Sequence, residues 1–318
     1  MRTKNPYIAE FSHAVHEFFF KYKRYSWKRT HRCPRKMLIS MVDKGHFYTG
    51  GLADRFKGEI SSYAWCKQRG YDFRIRYVYP FRLEDYLRPA SYDWRLKDGE
   101  MSDCFRDIRV VYARGEMGRR MLKLRTRRQI HYWGNMNYLD ALNKDRGTDY
   151  KWGDLFLELF RPAPELQKAI DLQLAEIGPG YYAAVFRFQN LLGDFHEYRF
   201  AELESDDEKR TLMDRCLSGL EELMDRFPDR RFLVTSDSTG FLEAASQIDR
   251  VHVIPGRLVH CGSAEGEDYD VYMKSFLDFF MISEAEHVYC VGTESMYPSE
   301  FPMYAARLHG RPFERILL

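Results

Sequence analysis

No two of the six cysteines form a CxxC pair; they are scattered at 33, 66, 104, 216, 261 and 290. That spacing speaks against a zinc site and against a disulfide framework, so a reducing compartment fits best. No apolar run approaches the length of a membrane span. No charged–apolar–small pattern at the N-terminus reads as a signal peptide. Internal repeats and low-complexity tracts are missing too. The expectation is a cytoplasmic protein.

What is present suffices for a sizeable folded protein. The chain has 318 residues, 45% of them hydrophobic and 16% aromatic, which suggests two domains rather than one core. The net charge of +2 conceals an asymmetry. Residues 1–180 hold 35 Lys and Arg against 22 Asp and Glu, whereas 181–318 hold 14 against 25. Opposite balances suggest domains with different partners. The basic half could face nucleic acid, anionic lipid headgroups or an acidic substrate; two solvated surfaces that attract one another would read the same way.

Residues 7–30 ("YIAEFSHAVHEFFFKYKRYSWKRT") read as an apolar helix running into a basic segment. The ordinary expectation is packing on its own domain, and the alternative is a helix lying on a membrane surface. "MLISMV" (37–42) has strand length, Leu52, Phe56, Ile60, Tyr63 and Ala64 recur at helical spacing, and "YDFRIRYVY" (71–79) alternates like a strand. This is a β–loop–α–β unit with a parallel pair. "DIRVVYA" (107–113) and "RQIHYW" (128–133) are further strands. "GPG" (178–180) places the domain boundary, with domains at 1–177 and 178–318. The second half alternates strand and helix four times, and its helix at 205–227 opens with a capping box, Ser205 and Glu208. A doubly wound parallel sheet follows, with ligands expected beyond the carboxyl ends of its strands.

Four features lie at those ends. Arg187, inside "VFRFQ", must find a partner, because an unpaired buried guanidinium is costly. "VTSDS" (234–238) and "GTESMYPS" (292–299) put hydroxyls on strand-to-helix turns that suit phosphate oxygens, though ordinary N-capping explains each singly. In "AEGEDYD" (264–270), Asp268 and Asp270 have the DxD spacing of metal-dependent nucleotide-sugar enzymes; acids crowding a helix start are the commoner cause. A metal site is therefore not expected.

The ordered set "GGLADRF", "VFRF…GDF", "FLVTSDS" and "FLDFFMISEAEHVYCVGTESMYPSEFPMYAARLHG" resembles the GDP-fucose-dependent fucosyltransferases, the related α1,2-, α1,6- and protein O-fucosyltransferases with the bacterial nodulation-type enzymes. The likeness spans roughly residues 37–310 and rests on motif order and spacing. It implies an α/β GT-B architecture, two Rossmann-like doubly wound domains facing across a cleft. The C-terminal domain would hold the GDP-sugar and the N-terminal domain the acceptor. It also implies an inverting transfer with no required cofactor or metal. By motif match, Arg187 would grip the donor diphosphate. Asp237 and Ser238 would contact the nucleotide, and Thr293, Ser295 and Ser299 the phosphates. Gly50, Gly51, Asp54 and Arg55 match the glycine loop that closes over the donor. The family usually reads His-x-Arg-x-Gly-Asp at mid-chain; here Phe186 and Phe188 flank Arg187, and Gly193-Asp194 comes later.

Such a loop lets backbone approach the diphosphate, with Arg55 available for charge and Asp54 either holding Arg55 or working on the acceptor hydroxyl. Candidates for the general base are Asp54, Asp194, His196 and Glu197. The reading is a glycosyltransferase moving fucose, or a related sugar, from a GDP-sugar donor to a glycan or lipid-linked saccharide acceptor. Peripheral contact with the inner face of a membrane stays open. A transferase of the same shape using another nucleotide sugar, and a non-catalytic sugar-binding relative, are alternatives. From another class comes a nucleic-acid-binding protein using the basic 106–128 segment. The acidic second half and the lack of any helix-turn-helix, zinc or RNP pattern disfavour it.

Overall fold

Strand β1 (Met37–Val42) is buried along its whole length because it is central, paired in parallel with β2 (Asp72–Tyr77) on one side and β5 (Gln129–Gly134) on the other. The computed structural model describes residues 15, 18–19, 22–28, 34, 36–43, 50–113, 124, 126–194, 202–258 and 268–318. These form two compact units. Unit 1 comprises Met1–Gly50, Asp54–Tyr79 and Ser91–Lys151; unit 2 comprises Gly51–Ala53, Pro80–Ala90 and Trp152–Leu318.

The sheet of unit 1 has the order β2-β1-β5-β4, all parallel, with β4 at Ile108–Ala113. On edge strand β2 the expected alternation holds: Phe73, Ile75 and Tyr77 are buried, while Asp72, Arg74 and Arg76 are not. Helix α1 (Leu52–Arg69) makes the crossover, so the β–loop–α–β unit is as expected. It lies close against β5. A Cβ on Gly58 would stand 1.9 Å from the Gly134 carbonyl oxygen, so only glycine allows that approach.

Unit 2 has the parallel order β11-β10-β7-β8-β9. Its strands are β7 (Tyr182–Phe186), β8 (Phe232–Ser236), β9 (Val251–His252), β10 (His287–Gly292) and β11 (Phe313–Leu317). Short helix α2 (Leu83–Tyr86) leads into β3 (Leu87–Pro89), which pairs antiparallel with β6 (Phe160–Pro162). The remaining helices are α3 (Leu139–Arg146) in unit 1 and α4 (Trp152–Leu159), α5 (Pro164–Ile177), α6 (Asp206–Asp225), α7 (Thr239–Ala245), α8 (Tyr269–Glu284) and α9 (Phe301–Leu308) in unit 2. The Ser205–Glu208 capping box is present. The compact units divide at Lys151/Trp152, so the expected boundary at 177/178 falls inside unit 2. The reason is apolar: Trp152 and Phe156 of α4 pack their rings on Tyr304 and Phe279, which belong to the second half of the chain.

One buried acid in unit 1 stands out. Glu59 of α1 is 1% exposed, and neither carboxyl oxygen has a hydrogen-bond partner among the described residues. Burial raises its pKa to about 8, against the pull of Arg55 one turn earlier. The folded chain therefore keeps a proton that the unfolded chain has lost, and stability falls as pH rises from 4.5 toward about 8. The full excursion is worth roughly 3–5 kcal/mol. Glu59→Gln should flatten that decline. Denaturant melts of both proteins at acidic and mildly alkaline pH will show it, and parallel curves would disprove the assignment.

Candidate functional site

In unit 2, the chain runs from β7 to β8 to β9 in one direction, then returns to place β10 on the other side of β7. This reversal is where open α/β sheets leave a crevice at the carboxyl edge. The register fixes what meets there. Phe186 pairs with Ser236 on one neighbour and Val291 on the other. Position 187 therefore follows directly beside 237 and 292.

Strand alternation explains the Phe-Arg-Phe sequence. Phe186 and Phe188 are buried, and their rings pack on Phe241 with centroids 4.6 and 5.0 Å away. Arg187 is thereby turned from that core. Its Nη1 lies 2.8 Å from Oδ2 of Asp237, a residue buried at the end of β8. The same carboxylate accepts the backbone N–H of Phe188 at 2.8 Å and of Gln189 at 2.7 Å. Burial raises the Asp237 pKa, and Arg187 and the two N–H groups act to lower it. Gln189 is the residue that sequence reading missed. It is buried with φ of 55°, a left-handed conformation costly for a side chain of its size. No local signal marks it, because the bend follows from the Asp237 contact.

Asp194 also reaches this edge. Its Oδ2 accepts a hydrogen bond from the Ser238 hydroxyl at 2.7 Å and from the Gly240 N–H at 3.0 Å. The Ser238 hydroxyl in turn accepts the Phe241 N–H, so Ser238 is the N-cap of α7. The start of α7 is thus held by the chain's own carboxylate. Thr293 is buried and its hydroxyl is 2.9 Å from that of exposed Ser295. Buried Ser299 accepts the Phe301 N–H at 3.3 Å, at the start of α9. For Ser238 the ordinary capping role is therefore present, whereas Ser299 stands one residue before Glu300, the N-cap of α9. Asp268 is the N-cap residue of α8 and Asp270 lies in its first turn, so the DxD pair opens a helix. Among the described residues no cluster of three or more His, Cys, Asp or Glu is gathered for a metal.

The glycine loop of unit 1 differs from expectation in one respect. Arg55 is 1% exposed rather than presented for charge. Its Nε donates to the Gly50 carbonyl at 3.2 Å, and Nη1 to the Tyr77 hydroxyl at 2.6 Å and the Tyr79 carbonyl at 2.9 Å. Asp54 forms an ion pair with Lys57 at 2.6 Å. Gly50 has φ of 77°, and a Cβ there would stand 2.3 Å from Oδ2 of Asp54. Gly51 follows at the start of the α1 turn. His196 and Glu197 lie outside the described residues, as do residues 114–123 and 125 of the basic 106–128 segment.

No protein-family model and no curated protein sequence matches the chain. Solved structures do resemble it. A mutant of Arabidopsis thaliana FUT1 in complex with GDP superposes with a TM-score of 0.56 at 13% identity, covering 95% of this chain and 73% of that one. NodZ alpha-1,6-fucosyltransferase co-crystallized with GDP gives 0.54 at 11% identity, covering 86% and 92%. Fucosyltransferase NodZ from Bradyrhizobium gives 0.53 at 11% identity, covering 86% and 93%. At such identities the likeness is one of fold: this chain has the α/β architecture of these fucosyltransferases.

The Asp237 hub makes a stability prediction that is independent of any activity. Asp237→Ala leaves a largely buried guanidinium and two buried N–H groups without their acceptor. The expected cost is roughly 3–5 kcal/mol. Urea unfolding measures it, and a loss below about 1 kcal/mol would mean that the carboxylate is not the anchor.

Proposed function

We propose that this protein is a glycosyltransferase that moves fucose, or a related sugar, from a GDP-sugar to a hydroxyl of a glycan or polysaccharide-precursor acceptor. The observation behind this reading is the Arg187–Asp237 pair at the strand-order reversal of a sheet whose fold is that of fucosyltransferases. Unit 2 is then the donor side and unit 1 the acceptor side. A lipid-linked saccharide suits the basic balance of the N-terminal half.

Breaking the bond between the sugar and the diphosphate leaves negative charge on the departing oxygen. A guanidinium held in one orientation stabilises that charge without reorganising, and Asp237 with its two N–H donors supplies the orientation. Thr293, Ser295 and the backbone of 293–299 add hydroxyl and N–H donors, and with these the transfer requires no metal. The acceptor hydroxyl attacks the anomeric carbon from the opposite face and inverts it. Its proton passes to a general base within hydrogen-bond reach. Asp54, Asp194 and His196 are the candidates. In Asp194 the bonds from Ser238 and Gly240 engage Oδ2 and leave Oδ1 for such a proton. Gly50, Gly51 and Arg55 act as a braced loop, where Arg55 shapes the backbone rather than touching phosphate.

Two measurements test this. Calorimetric titration with GDP, ADP, UDP and CDP should give a preference of at least about tenfold for GDP, equivalent to about 1.4 kcal/mol. A preference for another diphosphate would keep the fold reading and move the donor. Arg187→Ala should lower sugar transfer by roughly 10²–10³-fold. Transfer near the parent rate would remove Arg187 from the site.

A further inference from the structure

The N-terminal segment turns apolar side chains outward. Val15, Phe18, Phe19 and Tyr22 are helical and recur at three, one and three residues, the spacing of one helix face. They are 36%, 65%, 55% and 61% exposed. Phe18 stacks on Tyr22 and meets Phe19 edge-on, so the rings contact one another along the stripe. Packing of this helix on its own domain, the ordinary expectation, does not cover that face.

The segment is nonetheless fixed to unit 1 at its far end. Arg24 pairs with buried Asp43 and lies over the Trp133 ring. Ser26 donates its N–H to the Asp103 carbonyl at 2.8 Å and accepts the Phe105 N–H at 3.0 Å. The Tyr25 hydroxyl accepts the Val110 N–H at 3.0 Å. Beyond these ties Trp27 rests against Phe105 yet is 77% exposed. Five outward apolar residues thus precede or flank an anchored turn.

Charge identifies the occupant. Residues 15–42 contain eight Lys and Arg against one acid, Glu17. A second copy docking face to face would set like charge against like charge. A nucleic acid would answer the cations but stacks single bases on separate rings, not on one continuous helix face. An anionic bilayer answers both. Its phosphates meet the cations, and its headgroup–acyl boundary takes the aromatic stripe. Among the described residues no helix is long and apolar enough to cross a membrane, so the contact is one of surface docking.

We infer that the segment bearing Val15, Phe18, Phe19, Tyr22 and Trp27 docks this protein on an anionic phospholipid bilayer. The inference stands apart from the donor assignment, since none of these residues belongs to the unit 2 site. The full chain should co-sediment with vesicles of equimolar phosphatidylcholine and phosphatidylglycerol and not with phosphatidylcholine alone. Added salt should weaken that binding. The triple variant Phe18→Ser, Phe19→Ser and Trp27→Ser should partition at least tenfold less while its melting transition stays in place. Lys23→Glu with Lys28→Glu, both exposed, should weaken binding to the mixed vesicles and provides a second readout if the triple variant misfolds. Equal partition of the variants and the parent overturns the inference. So does a parent chain that ignores vesicles but dimerises through the stripe by light scattering, or that binds a single-stranded oligonucleotide instead.

Discussion

The carboxylate of Asp237 is the point on which the carboxyl edge of the second sheet depends. It stands at the end of β8, buried, and accepts three donors from the segment that leaves β7: the Arg187 guanidinium and the N–H groups of Phe188 and Gln189. A chain leaving a strand would ordinarily splay away. Here it is drawn sideways across the neighbouring strand, and Gln189 takes a left-handed conformation to allow it. The compensation is electrostatic, since a buried carboxylate is costly unless several donors surround it. The phenyl rings of Phe186 and Phe188 fix the other side by filling the core beside Phe241. Orientation of one arginine thus follows from packing below it and an acid beside it.

Asp194 extends the same logic to the next loop. Its carboxylate sits at the start of α7, where it bonds a cap hydroxyl and a backbone N–H. The loop that follows β7 is therefore joined to the loop that follows β8 at two points, Asp237 and Asp194. A ligand entering this edge meets a braced surface, and preorganisation of that kind is what charge stabilisation in a transition state requires.

Much of this was legible in the sequence, for identifiable reasons. Buried parallel strands such as "MLISMV" announce themselves as continuous apolar runs, and the four strand–helix alternations after 180 match the described elements. Strand β11 was missed because it is an exposed edge strand, and "FERIL" has few buried positions to mark it. The compact units divide earlier because a Gly-Pro-Gly break is a local signal, whereas the membership of α4 is decided by aromatic contacts over a hundred residues away. At the site, residue types were readable and partners were not. Arg187 needed a partner by its burial, but nothing in the spacing named Asp237. Nor did the glycine loop name its contacts: helical geometry sets Lys57 beside Asp54, three residues on, and Arg55 reaches back to the Gly50 carbonyl and the β2 end.

The two sheets reach a common electrostatic outcome by opposite placements. In unit 2 the cation, Arg187, leaves the central strand β7 and the acid comes from its neighbour β8. In unit 1 the acid, Asp43, ends the central strand β1. Its partners Arg24 and Arg76 come from the N-terminal segment and from β2, and Trp133 of β5 donates its ring N–H to it. In both cases the carboxylate is the more buried member and the guanidinium groups are the more exposed ones. That ordering follows from hydration: guanidinium keeps apolar contacts and long reach at low cost, whereas a carboxylate needs its donors close around it. A strand end built this way turns positive charge outward even where the pair is formally neutral. The ordering does not depend on net charge: it holds in unit 2, where the sequence after residue 180 is acidic overall.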